Sequence, residues 1–274
     1  MSLELSGPLV LVGAGKMGGA LLEGWLAHGV DPARVLVLDP APSPATAELL
    51  SRHKIARPAN AADLPRSPAV VVLAVKPQTM DGLLPSLAPS VGPSTLVLSI
   101  AAGRTIASFE RQLPAGAAIV RAMPNTPAAI GQGITVATAN GRVDAGQREL
   151  AGALLAAVGE VAWVDDEGLM DAVTAVSGSG PAYIFHFIEA LTVAAEKAGL
   201  PTKTAKLLAM QTVYGAASLA ATSREDPAVL RKQVTSPNGT TAAALGVLMG
   251  EDRLKNLLAD AVEAARVRSV ELGK

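Results

Sequence analysis

Near its N-terminus the chain carries a short apolar run, Pro8-Leu-Val-Leu-Val-Gly13. It passes without a break into Gly13-Ala14-Gly15-Lys16-Met17-Gly18 and then into the helical stretch Gly19-Ala-Leu-Leu-Glu-Gly-Trp-Leu-Ala-His28. No other segment constrains the fold as strongly. Glycines at this spacing, between a strand and a helix, permit a tight turn at Gly13, close approach of a pyrophosphate to the backbone at Gly15, and tight helix–strand packing at Gly18. A second apolar run, Arg34-Val-Leu-Val-Leu-Asp39, closes a βαβ unit. It ends on an acid roughly 20 residues past the last glycine, where a carboxylate meets a ribose 2′-OH. A lone G-x-G-x-x-G is a weak signal and can be only a Gly-rich turn. With strand, helix, second strand and terminal acid in register, the segment reads as a dinucleotide site.

The same alternation continues to about residue 165. Val70–Val75, Thr95–Ser99, Ala117–Arg121, Gly133–Ala137 and Val161–Val164 read as strands, separated by Gly/Pro punctuation and helical stretches. Continuous apolar runs suit a parallel sheet covered on both faces, and right-handed crossovers make it doubly wound. Beyond Asp166 the strand signals stop, and helical periodicity runs over 169–197, 203–221 and 251–271. The expected fold is α/β: a doubly wound Rossmann domain over 1–165, then an all-helical domain over 166–274. No flexible linker separates them.

Composition narrows the function classes. With 274 residues, 50% of them hydrophobic and 17% charged, the chain is long enough for two globular domains. A net charge of −1 gives no footprint for nucleic acid or for a membrane surface. With no cysteine, disulfides, thiolate metal sites and a Cys nucleophile are excluded. No leader or transmembrane stretch is apparent, so a cytoplasmic protein is expected. The helices of the second half are rich in Ala and Leu and carry few charges between Ala205 and Ala221. Helices apolar nearly all round need cover on more than one face, so a subunit interface, and hence a homo-oligomer, is expected in preference to a monomeric bundle.

Four loops hold the remaining chemistry. Ala74-Val75-Lys76-Pro77 ends a strand, where open α/β sheets bind their ligands. Lys76 reads either as a phosphate or ribose contact or as a solvated lysine. Ala122-Met-Pro-Asn125-Thr-Pro127 braces Asn125 between prolines; its amide can orient a carboxamide, or serve the turn alone. Ser177-Gly-Ser-Gly-Pro-Ala-Tyr183 marks a bend between helical stretches. Arg231-Lys-Gln-Val-Thr-Ser236-Pro-Asn-Gly239-Thr240-Thr241 places hydroxyls at the mouth of a helix, whose first N–H groups lack internal partners. That suits a small carboxylate, although a capped helix after a Ser-Pro turn looks the same in isolation. The histidines carry no chemistry: His28 and His53 lie at helix ends, His186 reads as packed among aromatics, and no pair has metal-ligand spacing.

In their order and spacing these motifs resemble the pyrroline-5-carboxylate reductases over essentially the whole chain. The resemblance also draws on Ser99-Ile-Ala-Ala-Gly103 and Asp171-Ala-Val-Thr174. It implies reduction of 1-pyrroline-5-carboxylate to L-proline with NADPH or NADH, the last step of proline biosynthesis. It also implies a helical dimerisation domain of the 6-phosphogluconate dehydrogenase C-terminal type, and a dimer or a ring of dimers such as a decamer. Ser236, Gly239, Thr240 and Thr241 would hold the substrate, with Thr241 on the ring nitrogen and Glu167 nearby. The cofactor would be met by Gly13, Ala14, Gly15, Lys16, Met17, Gly18, Asp39, Asn60, Ala74, Val75, Lys76, Pro77, Ala101, Ala102 and Asn125. No metal is expected. For Glu167, a helix-terminal acid favoured by the dipole is an equal reading.

Two departures from the family pattern stand out. Asn238 occupies a position where the family usually has glycine, and Asn tolerates the left-handed backbone the turn needs. Asp39 stands where members preferring NADPH carry a small polar residue with a base nearby. The first cation downstream is Arg52, so NADH is expected to compete well unless Lys16 or Arg52 reaches a 2′-phosphate. The rival dehydrogenase class, acting on β-hydroxyacids, needs a lysine soon after the second Gly-rich loop, and the first lysine here is Lys197. A non-catalytic dinucleotide sensor would not need the hydroxyl cradle.

Overall fold

The strands at the centre of the sheet are mostly apolar, and alternate residues point to opposite faces, so one sheet feeds two cores. The computed structural model describes residues 5–273. Its first part runs β1 (Leu9–Val12), α1 (Lys16–Ala27), β2 (Val35–Leu38), α2 (Pro44–Arg52), β3 (Val70–Leu73), α3 (Pro77–Leu87), β4 (Leu96–Ser99), α4 (Ile106–Glu110), β5 (Ala118–Met123), β6 (Gly133–Ala139), α5 (Ala145–Ala156) and β7 (Gly159–Trp163). Leu9, Leu11, Val70 and Val72 face α1 and α5, with Leu21, Leu22, Trp25 and Leu154 buried among them. Val10, Val12, Val71 and Leu73 face α3 and α4, against Met80, Leu84 and Phe109. Each such side chain contributes about 1.5–3 kcal/mol by leaving water. The Trp25 indole is not left polar inside: its Nε1 donates to Leu154 O at 2.8 Å.

Strand order in the seven-stranded sheet is β2-β1-β3-β4-β5-β6-β7. The chain reverses direction across the sheet between β1 and β3, which sets the ligand crevice at their carboxyl ends. The sheet departs from the all-parallel expectation at one place, where β6 runs antiparallel to β5. The reason is length. A parallel return needs roughly a dozen residues or more, usually with a helix, whereas 124–132 holds only a short 3-10 turn, Thr126–Ile130. β6 and β7 are again parallel, joined through α5.

After β7 come a 3-10 turn (Glu167–Leu169), α6 (Met170–Val173), a π turn (Thr174–Gly178), α7 (Gly180–Lys197), α8 (Thr202–Thr222), α9 (Pro227–Gln233), α10 (Thr240–Met249) and α11 (Arg253–Leu272). The helical region over 169–197 bends where the sequence places a bend, at the cluster Gly178, Gly180 and Pro181 that also starts α7. By its contacts the chain forms two units. One runs through Gly178 and takes back the residues from Ala265 on; the other is Ser179–Ala264. The stretch 166–178, grouped by sequence with the helices, is tied to the sheet unit by its own hydrogen bonds, given below.

Within the second unit α7 and α8 form a hairpin. Gly199 at φ +98° turns the chain, with Leu200 N donating back to Ala195 O at 3.2 Å. Of α7 and α8 only Ala205 and Ala209 are buried, while Leu207 is 65% exposed and Tyr214 62%. Among the described residues no helix is long and apolar enough to cross a membrane.

Candidate active site

The glycine turn has the geometry its sequence requires. Gly13 sits at φ +89°, with its N–H on Leu38 O at 2.9 Å. A Cβ at Gly13 would fall 2.7 Å from Val75 Cγ1, and one at Gly18 would fall 2.2 Å from Gly13 O. Gly15 is different: nothing lies within 4 Å of where its Cβ would be. Gly15 is the N-cap of α1 and has no side chain to satisfy the helix, so the N–H groups of Lys16, Met17 and Gly18 have no intrahelical acceptor. Open space, free donors and the positive end of the helix dipole fit a pyrophosphate. Met17 packs part-buried on the core, and Lys16 is exposed.

Asp39 is fastened to this turn. Its Oδ2 accepts from Ala14 N at 2.6 Å and its Oδ1 from Ala41 N at 2.9 Å. A carboxylate has about four lone-pair sites, so capacity remains for a ribose hydroxyl. Thr46 Oγ1 donates to Ala14 O at 3.2 Å, holding the start of α2 against the same turn. Arg52 lies at the other end of α2, about 12 Å along the axis. It is engaged there by Glu48 at 2.6 Å.

The neighbouring loops complete the edge. Ala74 N donates to Val12 O at 2.8 Å, which brings Ala74-Val75-Lys76-Pro77 beside the glycine turn. Lys76 caps α3 by its backbone, its carbonyl accepting from Thr79 N at 3.0 Å, and its side chain is exposed. Ala101 is buried, its N–H on Ser99 Oγ at 3.3 Å; Ala102 is half-buried. Asn60 starts a separate 3-10 turn, its N–H on Asp63 Oδ2 at 3.1 Å, and is exposed.

Two residues read as ligand contacts are engaged by the protein itself. Asn125 is buried and its amide is used at both ends: Nδ2 donates to Ser177 O at 3.1 Å, and Oδ1 accepts from Ile134 N at 3.0 Å. The amide therefore joins the Met123–Pro127 loop to the π turn. Glu167 Oε1 accepts from Ile106 N and from Arg121 Nη1, each at 2.8 Å. Asp171 Oδ1 accepts from Ser269 Oγ at 2.6 Å. Arg121 was not singled out from the sequence; the available signal was a cation inside an apolar strand, which needs a partner once buried.

In the second unit the hydroxyl cradle is a loop followed by a helix start. Gly239 is the N-cap of α10 and contributes no side-chain cap. Gly239 N donates to Ser236 O at 3.1 Å, and a Cβ at Gly239 would lie 2.4 Å from Ser236 Oγ, so a larger residue there would turn the Ser236 hydroxyl out of its present position. Asn238 stands at φ +60°, the left-handed conformation its sequence position calls for. The first intrahelical bond of α10 is Ala243 N to Gly239 O at 3.1 Å. The N–H groups of Thr240, Thr241 and Ala242 therefore precede the helical ladder. Ser236 and Thr240 are exposed and Thr241 is half-buried. This is a cradle of hydroxyl and amide donors, suited to a carboxylate. His186, read as packed, is instead exposed and pairs with Glu189 Oε2 at 3.2 Å.

A dinucleotide cradle at a sheet's switch point, with a separate anion cradle on a helical unit, defines a dinucleotide-dependent oxidoreductase. Residues 167–272 match the family model described as pyrroline-5-carboxylate reductase dimerisation, and residues 8–103 match one described as NADP oxidoreductase, coenzyme F420-dependent. The chain is 44% identical to the pyrroline-5-carboxylate reductase of Pseudomonas aeruginosa over 266 residues, covering 97% of each. It is similar to the solved structure of a pyrroline-5-carboxylate reductase from Coxiella burnetii, with a TM-score of 0.91, 38% identity and coverage of 98% of this chain and 99% of that one. A Plasmodium falciparum pyrroline carboxylate reductase crystallised with NADP bound aligns over 100% of both chains, with a TM-score of 0.83 and 29% identity. The chain belongs to the pyrroline-5-carboxylate reductase family.

Proposed function

We propose that this chain reduces 1-pyrroline-5-carboxylate to L-proline with NADH or NADPH, the closing step of proline biosynthesis. The observation that carries the reading is the α10 cradle. Three N–H groups and the hydroxyls of Ser236, Thr240 and Thr241 stand at one helix start, where only a small anion gains from all of them.

Bound NAD(P)H supplies the hydride, and everything else asked of the chain is positioning. The protonated cyclic imine is already an electrophile, so no strong acid is needed. Ser236, Gly239 and Thr240 would bind the carboxylate. Thr241 would set the ring nitrogen; a neutral hydroxyl is a poor proton donor at pH 7, so its work is orientation and retention of the imine proton. Gly13 to Gly18 would hold the pyrophosphate, with Ala74 to Pro77 and Ala101–Ala102 along the cofactor's edge.

Asp39 makes NADH a good partner. Its carboxylate accepts a ribose 2′-OH and repels a 2′-phosphate, and Arg52 is engaged at the wrong end of α2 to offset that. The exposed apolar faces of α7 and α8 favour a homodimer, or a ring of dimers, in the cytoplasm. The test is oxidation of NADH dependent on pyrroline-5-carboxylate, with proline identified as product. Loss of both signals in purified, folded protein would refute the reading.

A further inference from the structure

Arg121 is a cation in the middle of an apolar sheet. Its side chain is only 6% exposed, and Glu167 is its paired carboxylate among the described residues. Glu167 serves two donors at once, and each leads to a different loop. Ile106 N follows directly on Ser99–Thr105, the loop with Ala101 and Ala102. Arg121 lies in β5, just ahead of the loop that holds Asn125. Asn125 Nδ2 then returns to Ser177 O in the π turn, on the same stretch of chain that Glu167 begins. The bonds close a ring: Glu167 to Arg121, along β5 to Asn125, across to Ser177, and back through α6.

We infer that Arg121 and Glu167 are a pair of positioning residues, fixing the Ser99–Thr105 and Met123–Pro127 loops at one distance from each other, and that Glu167 works through this pair and not by touching substrate. The inference rests on the reductase reading for the identity of the loops' ligand. Chemistry supports the assignment. Two donors at 2.8 Å on one Glu167 oxygen, one of them a buried guanidinium, fix where the carboxylate sits and how it is turned. A lone apolar contact would fix neither loop, whereas a charge-assisted bond to a buried cation fixes angle as well as distance.

The test compares Arg121→Met, Glu167→Gln and the double variant Arg121→Met/Glu167→Met in the full chain. The readouts are melting temperature, NADH affinity by fluorescence titration, and the separate KM values for NADH and for pyrroline-5-carboxylate. Removing one partner strands a buried charge, while removing both is often tolerated. Both single variants should therefore melt lower, and the double variant should recover most of the melting temperature. NADH should still bind about tenfold more weakly in all three, because the loops stay untied, with the KM for the imine changed less than twofold. Recovery of NADH affinity together with melting temperature in the double variant would reduce the pair to a stability element and overturn the inference. So would a rise in the imine KM alone in Glu167→Gln with Arg121→Met unaffected, since that marks a substrate contact. The titration needs no turnover, so a failure of the reductase reading leaves it legible.

Discussion

Asp39 Oδ2 lies 2.6 Å from the amide nitrogen of Ala14, so the acid that ends β2 is bonded into the turn that ends β1. The contact holds the carboxylate beside the glycine turn, with its second oxygen on Ala41 N. A charge held in place by two backbone donors cannot swing away from a 2′-phosphate. Under the proposed function, cofactor choice is set at this turn.

Replacing that charge should change the choice. Asp39→Ser removes the repulsion and keeps a hydroxyl acceptor for Ala14 N. The ratio of kcat/KM for NADPH over NADH should rise about tenfold, equivalent to about 1.4 kcal/mol. Steady-state kinetics with each cofactor checks this. An unchanged ratio would show that Asp39 does not read the ribose.

Gly15 and Gly18 should separate binding from folding. A Cβ at Gly18 would sit 2.2 Å from Gly13 O, so Gly18→Ala should cost about 3 kcal/mol of stability. A Cβ at Gly15 meets nothing within 4 Å of the protein, so Gly15→Ala should cost under about 1 kcal/mol. It should nevertheless weaken NADH binding more than tenfold, because the methyl fills the space left for phosphate. Denaturant melts and nucleotide titrations on both variants test the pair.

The left-handed residue in the cradle gives a milder prediction. At φ +60°, Asn238→Gly relieves backbone strain but loosens the unfolded chain, so its net effect should lie within about 0.5 kcal/mol of zero. Asn238→Val, β-branched at the same φ, should lose about 2 kcal/mol and raise the KM for the imine. Equal behaviour of the two variants would argue against the turn geometry.

Asp81 contributes to stability in acid. Asp81 is held below its ordinary value of 3.8, first by the hydrogen bond from Arg104 and then by that from Gln112. The unfolded chain therefore binds this proton more readily than the folded one. The stabilisation is present above pH 3.8 and falls as pH drops through that value toward the folded-state pKa. Asp81→Asn should flatten this part of the stability-versus-pH curve and lower stability only slightly at neutral pH, because the Asp81 carboxylate is 64% exposed and its pairing is screened by solvent. A curve unchanged by the substitution would discount the pair.

Much of this was legible from residues alone. Each of the seven strands overlaps a segment that reads as a strand, and Gly13 and Gly18 take the structural parts their spacing assigns, while Gly15 leaves open space at the helix start. What periodicity could not give was pairing direction. The run Gly133–Ala139 looks the same in either orientation, and the short connection 124–132 was the cue. α9 shows little period over its seven residues, although Asp226 followed by Pro227 is a helix-start signature. Asn125 and Glu167 illustrate a different limit. Polar residues in motif loops look like ligand contacts, and only coordinates reveal that Ser177, Ile134, Arg121 and Ile106 already engage them.

The most direct test of the central claim is steady-state reduction of pyrroline-5-carboxylate by the wild-type chain and by Thr241→Ala, with NADH and with NADPH. The account predicts turnover to proline with NADH used at least as well as NADPH. It also predicts a loss of about 10²-fold in kcat/KM on removing the Thr241 hydroxyl, with NADH affinity unchanged. Tight NADH binding without imine-dependent oxidation in the wild type, or full activity in Thr241→Ala, would contradict it.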